Sequence, residues 1–222
     1  RTLYFAEGCT RPGFDTWLCI QNPNATQATV DVSYYCGDGE TIEKQDIPIA
    51  ANSRFTIPVH DDALGIGRHA SAHGDVSIKL SSDLPVVAER PCYFNYAGMW
   101  KGGSAVMGAS APATSFYFAE GTTRVGFDEY LTIQNPGAAP AHVTITYYLV
   151  GGGAIPKTLE VPPRSRATVN VVTEHLGRGT QNQGIDHSTH IQSDIPIICE
   201  RPMYFAYGGV WDGGHCVMGK GR

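Results

Sequence analysis

Apolar and polar residues alternate with a period of two through most of this chain. "TWLCIQ" (16–21) and "ATVDVSYY" (28–35) alternate, and so do "EYLTIQ" (129–134) and "AHVTITYY" (141–148). Successive side chains on a strand point to opposite faces, so this period predicts half-buried β-strands. The members of each pair are separated by "NPNATQ" or "NPGAAP". Proline presets one turn dihedral and Asn or Gly tolerates the next, so both segments are predicted turns. "ETIEKQDIPI", "RFTIPV", "DVSIKL" and "LPVVAERPCYFNY" extend the pattern, followed later by "PKTLEVP", "RATVNVV", "HSTHIQ" and "IPIICERPMYFAY". Roughly seven short strands per hundred residues, with frequent turn signals, predict a β-sandwich. Only "VVTEHLGRG" suggests helix, of one or two turns.

The chain also repeats itself. "YFAEGCTRPGFD" (4–15) returns as "YFAEGTTRVGFD" (117–128), and 20 of 33 residues from Tyr4 to Cys36 are identical 113 positions later. Ser82–Gly108 matches Ser193–Gly219 at 16 of 27 positions, now offset by 111. Only the middle drifts, around Asp61–Gly74 and Glu174–Asp186, as loop segments do. A period this long predicts a duplicated domain and not a solenoid. The expected architecture is all-β: two tandem antiparallel sandwiches, jelly-roll or immunoglobulin-like, at residues 1–109 and 116–222. Residues 110–115, within "GASAPATS", are expected to be the linker.

Composition narrows the function classes. Gly (26) and Pro (14) are plentiful and only 17% of the 222 residues are charged, a balance suited to short strands and turns. The net charge is -5, with no basic run to track a phosphate backbone, so nucleic acid is not an expected partner. No apolar stretch is long enough for a membrane-spanning helix. The chain opens inside the repeated motif, as expected of a mature or excised piece of a secreted protein.

The succession "AEG", "LTIQNPG", "AHVTITYY", "LEVPPRSRATVNV" and "IQSDIPIICER" resembles the sensory-rhodopsin-transducer family of small bacterial β-sandwiches. It is also similar to "YFAEGTTR" modules that occur in tandem in secreted bacterial proteins. The resemblance covers nearly all of both copies. It implies a jelly-roll-like sandwich that associates with copies of itself, with sugar binding as a suggested ligand class.

Both copies carry the same charged residues: Glu7/Glu120, Arg11/Arg124, Asp15/Asp128, Asp83/Asp194, Glu89/Glu200 and Arg90/Arg201. Paired carboxylates could do acid–base work. No nucleophile or metal-ligand set travels with them, so the preferred reading is structural: arginine forks holding the "AEGxTRxGFD" loop against the "ERP" strand. Tyr96, Trp100, Tyr207 and Trp211 also recur near Gly-rich turns. They either close the ends of the sandwiches or stack on a sugar or partner.

The histidine clusters, His69/His73 and His187/His190, do not match between copies, and His187 and His190 point to opposite faces of a strand. No metal site or cofactor is expected, Asp61 and Asp62 offering only a weak calcium pattern. The six Cys are not duplicated. Cys199 and Cys216 fall on the last two strands and are the first candidate disulfide; Cys9–Cys36 with Cys19–Cys92 is one of three pairings open to the rest. Six buried thiols are the alternative.

The expected function is a non-enzymatic bacterial structural module, extracellular or at the cell surface, that assembles with itself into filaments or acts as an adhesive repeat. One expected route is pairing of the initial strand "TLYFAEG" with a neighbour's sheet edge. The alternative is a carbohydrate-binding module built on exposed Trp and Tyr.

Overall fold

The computed structural model describes residues 1–180 and 184–222; part of the drifting segment Glu174–Asp186 therefore lies outside the described residues. The first half contains β1 (Thr2–Phe5), β2 (Phe14–Asn22), β3 (Ala28–Cys36), β4 (Thr41–Ile49), β5 (Ser53–Pro58), β6 (Val76–Ser82), β7 (Val87–Tyr96) and β8 (Trp100–Met107). They form two four-stranded antiparallel sheets, ordered β1-β6-β3-β4 and β5-β2-β7-β8. The period-two pattern sets the inner faces: Leu18, Ile20, Val30, Val32, Ile78 and Leu80 share one apolar core, while Gln21 and Asp31 point outward.

The second half contains β9 (Ala113–Phe118), β10 (Phe127–Asn135), β11 (Ala141–Leu149), β12 (Ala154–Val161), β13 (Ser165–Asn170), β14 (His187–Tyr207), β15 (Trp211–Met218) and β16 (Lys220–Gly221). The long β14 pairs with β9 and β11 along its first part and with β10 and β15 along its second. Leu131, Ile133, Val143, Ile145, Ile191 and Cys199 lie in the second core. The helical signal at "VVTEHLGRG" becomes a six-residue π-helix, Val171–Leu176, where Asn170 Oδ1 accepts the Thr173 N–H at 3.0 Å.

The Asn of each "IQNP" is buried and holds its turn from beneath. Asn22 donates to the carbonyls of Thr26, Ile49 and Ala50 at 2.9–3.0 Å, and Asn135 donates to those of Ala139, Val161 and Pro162 at 2.8–3.0 Å. The glycines of "GFD" are also required by geometry. Gly13 and Gly126 have φ of 92° and 89°, and a Cβ there would stand 3.0 Å or less from the carbonyl of Asn95 or Ala206.

Two expectations change. The linker is shorter than 110–115, because "ATSFYF" continues the alternation and enters the sheet as β9, with Ala113 opposite Ile197. The initial strand is the edge of its sheet, and that edge is partly covered. β1 pairs with β6 on one side, and on the other Tyr4 and Ala109 exchange two backbone hydrogen bonds of 2.9 Å.

Candidate functional site

The shared charged residues divide into two sets. The first fastens each repeated loop to the drifting segment or to the Asp at its end. Arg11 forks onto Asp75 at 2.9 and 2.6 Å, and Arg124 grips Asp186, its Nε lying 2.8 Å from Oδ1. Asp15 receives Arg68 at 2.5 Å, and Asp128 receives Arg178 at 2.6 Å. The Arg11 and Arg124 forks therefore reach Asp75 and Asp186, not the "ERP" strand. Within the second half, Arg201 bridges that strand to the loop, through the carboxylate and carbonyl of Glu120.

The second set joins the two halves. Arg90 Nη2 lies 2.7 Å from Glu200 Oε2, and neither side chain has any solvent exposure. Glu200 also accepts the Ala6 N–H at 2.8 Å, the Glu7 N–H at 3.3 Å and the Cys216 thiol at 3.1 Å. Burial opposes the charge on Arg90, and the Glu200 carboxylate overrides it, so the guanidinium is held charged. Alongside, Arg166 donates to Glu7 at 3.1 Å and to the carbonyls of Gly8 and Val76 at 3.0 and 2.7 Å. Burial pushes the Glu7 carboxyl above its usual range against the pull of Arg166 and Arg90. Gln134 completes the seam with a 3.2 Å bond to the Ile78 carbonyl.

Aromatic rings continue this interface. Tyr96 stacks on Tyr204 at 4.3 Å and on Trp100 at 5.5 Å, making a three-ring pile that crosses from one half to the other. Its hydroxyl donates to Asp128 at 3.0 Å and lies 2.9 Å from that of Tyr130. Glycine lets the sheets approach here, since a Cβ on Gly214 would stand 2.7 Å from the Phe94 ring. A cleft of about 250 Å³ remains, lined by Glu7, Arg11, Tyr96, Tyr130, Arg166 and Tyr204. Within it Arg166 pairs with Glu7 and Tyr96 with Tyr130, while Arg166 Nε has no hydrogen-bond partner.

The recurring aromatics differ between halves. Trp100 is half-buried in the pile, whereas Trp211 is 63% exposed and stacks on Tyr207, itself 57% exposed, at 6.0 Å. Glu89, the sequence equivalent of the buried Glu200, is exposed on the outer face of β7.

All six cysteines are free thiols, which overturns the expected disulfides. Cys199 stands opposite Gly219, beyond the end of β15, while Cys216 stands opposite Pro202. Cys199 faces the second core, and Cys216 faces Glu200 on the other side of the sheet. Cys19 faces outward from β2 while Cys92 is buried beside Thr16. Cys9 turns toward Asp75, and Cys36 belongs to the first core.

One constellation escaped the sequence reading. His73 lies 2.9 Å from Asp38 through Nδ1 and 3.8 Å from the Cys36 sulfur through Nε2. The order matches a nucleophile, base and orienting carboxylate. The thiol, however, is buried, and burial with Asp38 and Glu40 pushes it up to about 12, so it has no thiolate to offer near neutral pH. One donor atom each from Cys36, Asp38 and His73 lies within 4.8 Å of the others, so the three are spaced closely enough to share a metal ion. His187 is buried against Glu129 at 3.3 Å, whereas His190 stacks on Tyr117 at 4.4 Å on the other face.

Residues 95–180 match a family of unknown function, DUF5719. No curated protein matches the chain. Among solved structures, a Thermotoga maritima protein described as 1070 is similar over 50% of this chain and 96% of its own, at 16% identity and a TM-score of 0.45. The Anabaena sensory rhodopsin transducer is similar over 42% of this chain and 85% of its own, at 28% identity and a TM-score of 0.36. Among the described residues, no helix is long and apolar enough to cross a membrane.

Proposed function

We propose that this chain is a non-enzymatic structural module, a cell-surface or extracellular repeat that assembles with copies of itself. The observation that carries the reading is where the repeated charges are spent. The acids and bases that could have formed a catalytic pair instead clamp loops, or join one half to the other through the buried Arg90–Glu200 and Glu7–Arg166 pairs. Charges paired in this way position parts and are committed to one another more than to a substrate. The finer resemblance to "YFAEGTTR" modules, and the origin of the halves by duplication, belong to the same proposal. Negative-stain electron microscopy of the purified chain tests it: ordered filaments, rings or sheets support assembly, and dispersed monomers oppose it.

A second reading is carbohydrate binding, favoured by the exposed Trp211–Tyr207 stack. It predicts that Trp211→Ala lowers affinity for a glycan without changing the melting temperature. A glycan array with no hit would end it.

A further inference from the structure

The contact between the halves is not symmetric. The second half presents the outer face of its β13-β10-β14-β15 sheet, and the first half receives it on the end formed by "AEG" and the inner side of β7. The chain therefore leaves two surfaces unused: the same outer face on the first half, and the same end on the second. Burial follows this division. Glu200, Arg166, Gln134 and Tyr204 are buried, while their sequence equivalents Glu89, Arg54, Gln21 and Tyr93 are exposed. In the other direction, Ala6 and Glu7 are buried while Ala119 and Glu120 are exposed.

The equivalence of Arg54 and Arg166 is structural as well as sequential. Each follows a residue of positive φ by two, Asn52 at 49° and Arg164 at 50°. Each stands opposite the Gln of "IQNP" on the neighbouring strand.

We propose that copies of this chain join head to tail by repeating their own internal contact, the outer face of one copy's first half seating on the free end of the next copy's second half. The proposal rests on the self-assembly reading and names the surfaces. The charged and stacking groups of the internal contact recur on the unused pair, while Ala105 and Trp17 stand there for Cys216 and Tyr130. Glu89 would take the place of Glu200, meeting Arg201 and the N–H groups of Ala119 and Glu120. Arg54 would take the place of Arg166 and meet Glu120. At present Arg201 and Glu120 satisfy each other, so docking exchanges one pair for two and strands no charge.

The aromatic pile is also one ring short. Tyr96 is sandwiched between Trp100 and Tyr204, whereas Tyr207 has Trp211 on one side. Tyr93, 59% exposed, is the third ring from the next copy. Glycines permit the close approach again, with Gly103 and Gly213 standing where Gly214 and Gly102 stand inside the chain. A groove of about 630 Å³, lined in part by Cys19, Gln21, Arg54 and Glu89, marks the receiving side of the outer face. The two surfaces differ, so the contact is heterologous and generates a ring or a filament, not an isologous pair.

The test mixes two variants. Glu89→Arg disables the outer face, and Tyr207→Ala with Trp211→Ala disables the end. All of these positions are exposed or half-exposed in the single chain. By light scattering, wild type should grow with concentration while each variant stays at the 23.9 kDa chain mass. An equimolar mixture, which holds one intact face and one intact end, should form a dimer and nothing larger. Wild type that stays monomeric would overturn the self-assembly reading and this contact together. Variants that assemble like wild type would leave self-assembly standing and overturn this contact alone, as would monomeric variants that fail to pair. Should a variant not fold, Cys19 provides a readout in wild type: iodoacetamide labelling should fall as concentration rises, and labelling indifferent to concentration contradicts the contact.

Discussion

Glu200→Ala is the substitution that probes the join between the halves most sharply. The carboxylate accepts from Arg90, from two backbone N–H groups and from a thiol, all inside a seam with no solvent exposure. Arg90 already has Nε and Nη1 without partners, so removing Glu200 leaves a buried guanidinium with no hydrogen-bonded counter-ion and only the more distant pull of Glu7. Breaking a buried pair from one side costs about 3–5 kcal/mol. Natural domains hold only about 5–15 kcal/mol in total, so the loss is a large share of the fold's stability. For a chain of this size each kcal/mol moves the melting temperature by about 2–4 °C, which gives a drop of roughly 6–20 °C. Glu89→Ala is the internal control. The same residue type at the equivalent position is exposed, and its loss should change monomer stability by no more than about 0.5 kcal/mol. Urea unfolding followed by tryptophan fluorescence reads both halves, since Trp17 and Trp100 lie in the first and Trp211 in the second. Arg90→Met combined with Glu200→Leu should recover much of the loss, because an apolar pair leaves no stranded charge. A cost for Glu200→Ala below about 1 kcal/mol, or strict additivity of the two sites, would refute the reasoning.

Three further outcomes follow from the packing. Burial pushes the thiols of Cys36 and Cys92 up to about 12 and about 11, and five of the six are buried, so brief iodoacetamide treatment of dilute native protein should modify Cys19 alone by mass spectrometry; several adducts per folded chain would contradict this. Asp186 is held below the usual carboxylate range by its hydrogen bond from Arg124, with Thr122 adding to it against slight burial. Its folded value lies below its unfolded value of about 3.9, so this stabilisation is complete above that pH and vanishes as pH falls through the folded value. Asp186→Asn should accordingly flatten the acid limb of a stability–pH curve, and an unchanged limb would oppose the assignment. Asn135→Ala removes the side-chain amide that donates to three carbonyls and accepts the Gly137 N–H at the "NP" turn, and should cost about 3 kcal/mol in chemical denaturation, at about 1 kcal/mol per donated hydrogen or accepted bond; a cost near zero would show that the turn holds itself.

Local patterns carried the strands, the turns and the core. Alternation at "TWLCIQ" and "AHVTITYY" placed Leu18, Ile20, Val143 and Ile145 inward, because a period of two leaves one consistent apolar face. The expected Cys199–Cys216 disulfide does not form, because pairing turns on register, which the sequence does not show. The hairpin sets Cys216 opposite Pro202, which puts the two sulfurs on opposite faces. The partners of the repeated arginines are legible in the sequence. Asp75 and Asp186 stand 111 positions apart like the rest of the C-terminal match, and "GR" at Gly67–Arg68 recurs at Gly177–Arg178 inside the drifting segment. The joining of the halves could not be read at all. Glu89 and Glu200 are the same letter in the same motif, and only tertiary packing makes one a surface charge and the other a buried anchor.

The measurement that tests the central claim most directly is the molar mass of the native chain in solution across a concentration series. The account predicts a mass that climbs from 23.9 kDa toward defined multiples as concentration rises. A mass fixed at that of one chain at every concentration would contradict it.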